Sequence, residues 1–324
     1  MADRAVVSEA GGEAMSLSSA PSRSVSPVAL VREFLSLIRF SHTLFALPFA
    51  LAALLLAWRA SDRLRWPEWA WDLGGIVVCM VLARSTAMAF NRLADHRFDA
   101  ANPRTASRHL PTGRLSRRAV WLFTLLCAAG FVVSTFHFVI HNGNWWPVYL
   151  SVPVLLFVCG YSLAKRFTVL SHFWLGASLM LAPVATWLAI TGGVEPVPVL
   201  LGLAVWSWVA GFDIIYACQD ADFDRRAGLY SLPAWLGVAR ALRLAMLCHL
   251  AMLGLLLALG FAAGLGWIYF AGIALVAGLL AWEHWLVRPD DLSRVNTAFF
   301  HVNAVISVGL LLLIAADLWL AGTS

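Results

Sequence analysis

The sequence predicts an all-α, polytopic membrane protein with nine spanning helices. Of its 324 residues, 61% are hydrophobic and only 13% are charged. That is too little polar surface for a water-soluble chain of this size, so the apolar excess points to lipid as the solvent. Nine stretches approach the ~20 apolar residues that a helix needs to cross a bilayer. The arginines between them fall on alternate connections.

The expected spans lie near 34–58, 71–92, 119–140, 146–164, 170–191, 197–219, 241–264, 267–287 and 298–321. With the N-terminus inside, the cytoplasmic connections are 92–118, 165–169, 220–240 and 288–297. They carry Arg92, Arg97, Arg104, Arg108, Arg114, Arg117 and Arg118, then Lys165 and Arg166, then Arg225, Arg226 and Arg240, then Arg288 and Arg294. The opposite side holds Arg59, Arg63 and Arg65 in one connection and neither Lys nor Arg in 141–147, 192–196 or 264–267. This asymmetry predicts an inside N-terminus and an outside C-terminus. Residues 1–30 differ in kind. They are rich in Ser, Ala and Val, carry Asp3, Glu9 and Glu13, and lack an apolar core of signal-peptide length. They read as a disordered cytoplasmic tail before a membrane domain over 31–324.

Other function classes fit poorly. The net charge of +5 rests almost wholly on arginine, with Lys165 the single lysine. Those arginines sit between apolar spans and not along one polar face, so a nucleic-acid partner is not expected. The five cysteines are scattered singly without a CxxC, so neither a disulfide framework nor a zinc site is indicated. His137, His249 and His301 lie in apolar spans without metal-ligand spacing, and Glu283-His284 lacks a second histidine for a zincin motif. No GxSxG, P-loop or Rossmann fingerprint occurs.

Two clusters carry chemistry. Asn91, Asp95 and Asp99 recur every fourth residue, so they line one face if the second helix continues that far, and Arg84, seven residues before Asn91, shares that face. Asp213, Asp220 and Asp224 have offsets of seven and four, which again form a single stripe, with Gln219 and Asp222 beside them. Each cluster ends a span and runs into a polar loop, four spans apart. This faint internal repeat predicts two half-sites facing each other across a bundle. A charge deep in a span costs roughly 2.5–3.5 kcal/mol on insertion scales, so such residues usually mark a site. Carboxylates four residues apart repel unless a cation lies between them. Mg²⁺ suits this chemistry, because it takes hard oxygen ligands and shares its shell with phosphate oxygens. The plainer reading is that these aspartates pair with nearby arginines at the membrane surface. Two clusters of matching depth and polarity argue against it.

These motifs, together with Arg39-Phe40-Ser41-His42-Thr43-Leu44-Phe45-Ala46-Leu47-Pro48, Asn102-Pro103-Arg104-Thr105 and Gly211-Phe212-Asp213-Ile214-Ile215-Tyr216, resemble the UbiA superfamily of intramembrane aromatic prenyltransferases. The resemblance extends from about residue 31 to the C-terminus. It implies a helical bundle around a central cavity, capped on the cytoplasmic side by the two motif loops. It also implies that Asn91, Asp95, Asp99, Asp220 and Asp224 bind Mg²⁺ and a polyprenyl diphosphate. Many members carry Asp directly after the motif Asn. Here Arg92 stands there, which removes one possible ligand.

By the same resemblance, Lys165 stabilises the departing diphosphate, Tyr161 sits near the allylic carbon, and Arg84 meets an acidic aromatic acceptor. The loop arginines Arg104 and Arg108 neutralise charge that grows on the leaving group. His42, beside Arg39, is a candidate for contact with the acceptor carboxylate or hydroxyl. The long prenyl tail would leave sideways into membrane lipid. The first-span stretch is most similar to the branch that prenylates 4-hydroxybenzoate or a related hydroxynaphthoate, in ubiquinone or menaquinone synthesis at a bacterial inner membrane. Haem-, chlorophyllide- and lipid-type acceptors belong to the same superfamily. An ion-coupled transporter fits less well, since its carboxylates would lie near the midplane. A CDP-alcohol phosphatidyltransferase would need a DGxxAR element that is absent.

Overall fold

The computed structural model describes residues 27–37, 45–63 and 65–321, and the described residues are helices and connections without a strand ladder. In chain order these are α1 (Pro27–Leu37), α2 (Leu47–Ser61), α3 (Glu68–Ala101), α4 (Arg117–Asn142), α5 (Trp146–Ala164), α6 (Ser171–Thr191) and α7 (Pro196–Ala217). There follow α8 (Ala221–Arg226), α9 (Leu232–Leu236), α10 (Val238–Ala262), α11 (Trp267–Leu286), α12 (Val295–Thr297) and α13 (Asn303–Ala321). Cys218–Asp220 form a 3₁₀ turn between α7 and α8, and Ala298–Val302 a π-helical stretch before α13.

Among the described residues, eight helices are long and apolar enough to cross a membrane, against the nine expected. The difference lies at the expected first span, 34–58. There α1 is described as far as Leu37, and α2 has 15 residues, a rise of roughly 22 Å where the hydrocarbon core needs about 30 Å. Residues 38–44, which include Arg39 and His42, lie outside the described residues. So do residues 1–26 of the expected tail, while 27–30 open α1.

The other connections alternate as the arginine pattern predicts. One end of the bundle carries 102–116, 165–170, 218–237 and 287–294; the far end carries 62–67, 143–145, 192–195 and 263–266. Far-end turns are tied by side chains. Asn144 Nδ2 donates to the Leu188 and Ala189 carbonyls at the close of α6. Asp317 accepts from the Gly266 and Tyr269 amides that open α11, groups that a helix start leaves without intrahelical acceptors. Exposed Trp145, Trp146, Trp267 and Trp319 ring this end, as interfacial tryptophans do.

The core centres on α7, which packs along α6 on one side and α10 on the other. Gly211 makes the second contact possible: a Cβ there would lie 2.4 Å from the His249 ring. By contrast, Leu122, Leu125, Leu126, Val133 and Ile140 on α4 are exposed, which is stable only if lipid covers them. The N-terminal α1 braces the loop after α3. Phe34 stacks on Phe123 at 4.6 Å, Leu37 packs with Leu93, Leu110 and Leu115, and Glu33 lies 3.3 Å from His109 Nε2.

Candidate active site

Helix α3 runs unbroken about two turns past the expected end of its span, so Asn91, Asp95 and Asp99 do share one helical face. The second cluster is built differently. α7 tightens into the 3₁₀ turn at Cys218–Asp220 before α8 begins, so Asp213 points from a regular helix while Asp220 and Asp224 come from a bent one. Both clusters line a single cavity of about 230 Å³ at the arginine-rich end. The same cavity takes Arg104 and Arg108 from the loop after α3, and Tyr161, Lys165 and Arg166 from the end of α5.

Each of the four motif aspartates lies beside a cation. Arg108 Nη1 donates to Asp99 Oδ1 at 2.6 Å, Lys165 Nζ donates to Asp224 Oδ2 at 3.1 Å, and Arg166 Nη2 is 3.9 Å from Asp95 Oδ1. Arg104 engages both oxygens of Asp220, Nε reaching Oδ1 at 2.9 Å and Nη2 reaching Oδ2. That pair joins the loop of the first half-site to the second. Asn102 builds the joint: its Oδ1 accepts from the Arg104 amide at 3.0 Å, and its Nδ2 donates to Asp220 Oδ1 at 3.2 Å. Burial works against the Arg104 charge. Its bonds to Asp220 and Tyr216 and their negative character outweigh that, and its pKa is raised, so Arg104 stays protonated at any working pH. Within the first half-site, Asn91 Nδ2 donates to Asp95 Oδ2 at 2.9 Å.

The plainer sequence reading, aspartates paired to basic groups, is therefore realised in the geometry, and so is the juxtaposition of the two half-sites. The two are compatible, because a phosphate ligand competes for the cations and leaves the carboxylates to a metal. Among the described residues no three His, Cys, Asp or Glu side chains form a closed metal cage. Carboxylates set singly or in pairs on opposite walls instead fit Mg²⁺, which is commonly bound through one or two carboxylates plus substrate phosphates and water.

Below this polar cavity lies a second one of about 240 Å³, walled by α3 to α6 and largely apolar. Tyr161 lines both. Arg84 lines the lower chamber half-buried, with its Nε buried and lacking a hydrogen-bond partner. The stripe that suggests one shared face for Arg84 and Asn91 thus spans two compartments.

Several residues go beyond the expected set: Asn102, Arg166 and Tyr216 line the cavity, and His172 lies buried behind Asp213. Asn102 stands in a stretch marked only for its resemblance. Arg166 reads as an ordinary interfacial anchor, yet its Nη2 also donates to the Ala94 carbonyl at 2.6 Å. Tyr216 accepts from Arg104 Nη1 at 2.7 Å, and His172 bonds Asp213 at 2.7 Å. No spacing rule finds the last two, since their partners lie 112 and 41 residues away.

Known proteins match the same region. The model of the UbiA prenyltransferase family covers residues 46–305. A 4-hydroxybenzoate octaprenyltransferase of Nitrosomonas eutropha is 34% identical over 240 residues, covering 73% of this chain and 82% of that protein. One from Tolumonas auensis is 32% identical over 223 residues, 68% of this chain and 76% of that one. Among solved structures, a UbiA homolog from Aeropyrum pernix K1 superposes with a TM-score of 0.71 at 30% identity, over 87% of this chain and 98% of that one. A UbiA homolog from Archaeoglobus fulgidus bound to GPP and Mg²⁺ shares the fold, with a TM-score of 0.64 at 19% identity over 87% of this chain and 99% of that one. A match that runs from α2 to α13 and takes in both aspartate clusters makes this chain a member of the UbiA prenyltransferase family, a multi-pass membrane prenyltransferase.

Proposed function

We propose that the chain transfers a polyprenyl group from a polyprenyl diphosphate to a ring carbon of 4-hydroxybenzoate or a related hydroxynaphthoate. The reaction would require Mg²⁺ and serve quinone biosynthesis in a bacterial inner membrane. One observation carries this reading. Two acidic half-sites, interleaved with cations, face one polar cavity, and Tyr161 joins that cavity to an apolar chamber holding Arg84. The names of the Nitrosomonas and Tolumonas relatives support the aromatic acceptor, and the GPP and Mg²⁺ bound to the Archaeoglobus homolog support the donor and the ion.

Asn91, Asp95, Asp99, Asp220 and Asp224 are the residues we assign to hold Mg²⁺ against the diphosphate. Bound there, the ion offsets charge on the leaving group. Arg104, Arg108 and Lys165 turn from their aspartates to the diphosphate oxygens and stabilise the charge that develops as the C–O bond breaks. Tyr161, at the junction of the two compartments, lies beside the allylic carbon. Arg84 takes the acceptor carboxylate, which would satisfy a buried guanidinium nitrogen that is costly to leave unmatched in apolar surroundings. Apolar walls keep water from the allylic cation. The polar end faces the cytoplasm, with the N-terminus on that side and the C-terminus opposite.

The test is to offer the purified protein a radiolabelled polyprenyl diphosphate with each candidate aromatic acid and to identify the product. Label in a prenylated hydroxybenzoate or hydroxynaphthoate is expected. Transfer only to a non-aromatic acceptor, or none at all, would contradict the reading.

A further inference from the structure

Five carboxylates reach the polar cavity, and Asp213 differs from the other four. Asp95, Asp99, Asp220 and Asp224 each sit beside an arginine or lysine. Asp213 is held instead by a histidine: His172 Nδ1 lies 2.7 Å from its Oδ2, with the His172 side chain fully buried and the Asp213 side chain 22% exposed. The second ring nitrogen of His172 reveals the polarity of the pair. Leu232 opens α9, so its amide lacks an intrahelical acceptor, and it donates to His172 Nε2 at 3.4 Å. A nitrogen that accepts carries no proton. His172 is therefore neutral, with its hydrogen on Nδ1 donated to Asp213. The bond occupies Asp213 Oδ2 and leaves Oδ1 to the cavity that Asp213 lines.

Depth matters as well. Asp213 precedes Asp220 by seven residues, roughly 10 Å further into the membrane, and it lines the cavity together with Tyr161. A carboxylate paired with a cation or a metal is a poor base. One held by a neutral donor, below the diphosphate-binding level, is a better one.

Resting on the function proposed above, we propose that Asp213 is the catalytic base that takes the ring proton from the prenylated acceptor, and that His172 is a positioning residue that holds and orients it. The allylic C–O bond breaks first, its electron pair leaving with the diphosphate, and a ring π pair then forms the new C–C bond to the allylic cation. The ring C–H bond then breaks. Its electron pair restores aromaticity, and its proton passes to Asp213 Oδ1.

The experiment compares saturated turnover of ordinary 4-hydroxybenzoate with that of the acid deuterated at both ring carbons next to the hydroxyl, using full-length protein in detergent. In the wild-type chain no deuterium effect on kcat is expected, since proton loss to a well-placed base follows the slower C–O ionisation. Asp213→Asn lowers kcat by roughly 10²-fold, and His172→Phe lowers it less. Both acquire an isotope effect on kcat while KM for the prenyl diphosphate changes little. His172→Asn, whose amide reaches the Nδ1 position, recovers most of the rate and loses the isotope effect. Slow variants without an isotope effect would overturn the assignment, because a merely structural or diphosphate-binding role slows steps that break no ring C–H bond. Should His172→Phe fail to accumulate in membranes, Asp213→Asn gives the same isotope readout. Wild-type protein that prenylates no aromatic acid would overturn the underlying function instead, so the two failures are distinguishable.

Discussion

Arg104 and Asp220 stand 116 residues apart and form a two-pronged ion pair across the polar cavity, with Arg104 Nη1 also donating to the Tyr216 hydroxyl at 2.7 Å. The guanidinium ring-stacks near Tyr216 as well, 5.1 Å from its centroid. We predict that Arg104→Ala lowers kcat by about 10²-fold, the usual loss when one preorganised donor to a developing anion is removed. Arg104→Lys should recover only part of this, since an ammonium cannot reproduce the fork. Steady-state turnover of both variants checks it, and full activity in Arg104→Ala would show that the pair is purely structural.

The carboxylate walls predict an absolute need for a divalent ion. Chelation should stop turnover, and added Mg²⁺ should restore it without refolding, because the apolar core packed between the helices lies away from the carboxylate walls. Activity persisting in excess chelator would contradict the assignment of Asp95, Asp99, Asp220 and Asp224.

Arg84 separates acceptor binding from donor binding. Arg84→Met keeps the buried volume but removes the charge. Losing one charge-assisted pairing costs about 2 kcal/mol, which is roughly a thirtyfold rise in KM for the aromatic acid. KM for the prenyl diphosphate, bound in the other compartment, should hardly move. Equal changes in both constants would mean that Arg84 does not meet the acceptor.

A polar network away from the site is expected to be structural. Asn303 accepts from Trp208 Nε1 at 2.7 Å and donates to Glu283 Oε1 at 3.1 Å, and both Asn303 and Glu283 are fully buried. Asn303→Leu leaves a buried indole N–H and a buried carboxyl unmatched, at about 1–3 kcal/mol for each. Thermal unfolding in detergent should fall by several degrees. An unchanged midpoint would show that neighbouring groups take over both bonds.

How far the sequence reaches depends on the range of each interaction. Asn91, Asp95 and Asp99 are legible because a helix turns local spacing into a shared face, and α3 continues far enough to do so. Alternating arginines likewise reveal which ends of the helices lie together. The offsets of Asp213, Asp220 and Asp224 suggest one regular stripe, yet α7 tightens at Cys218–Asp220 and re-aims the last two. A 3₁₀ turn of three residues leaves no periodic trace. The short α2 escapes notice because the apolar run around it continues toward residue 34 while the described helix begins at Leu47. The pairings Arg104–Asp220, Lys165–Asp224 and His172–Asp213 join residues 41 to 116 positions apart. Only the packed bundle brings them together.

The most direct measurement is calorimetric binding of a non-reactive prenyl thiolodiphosphate to the purified chain, with and without Mg²⁺, in wild type, Asp95→Asn and Asp220→Asn. If helices α3 and α7–α8 grip one diphosphate through divalent ions, Mg²⁺ will tighten wild-type binding, and either substitution will remove most of that gain. Mg²⁺-independent affinity, or a gain that survives both substitutions, would contradict it.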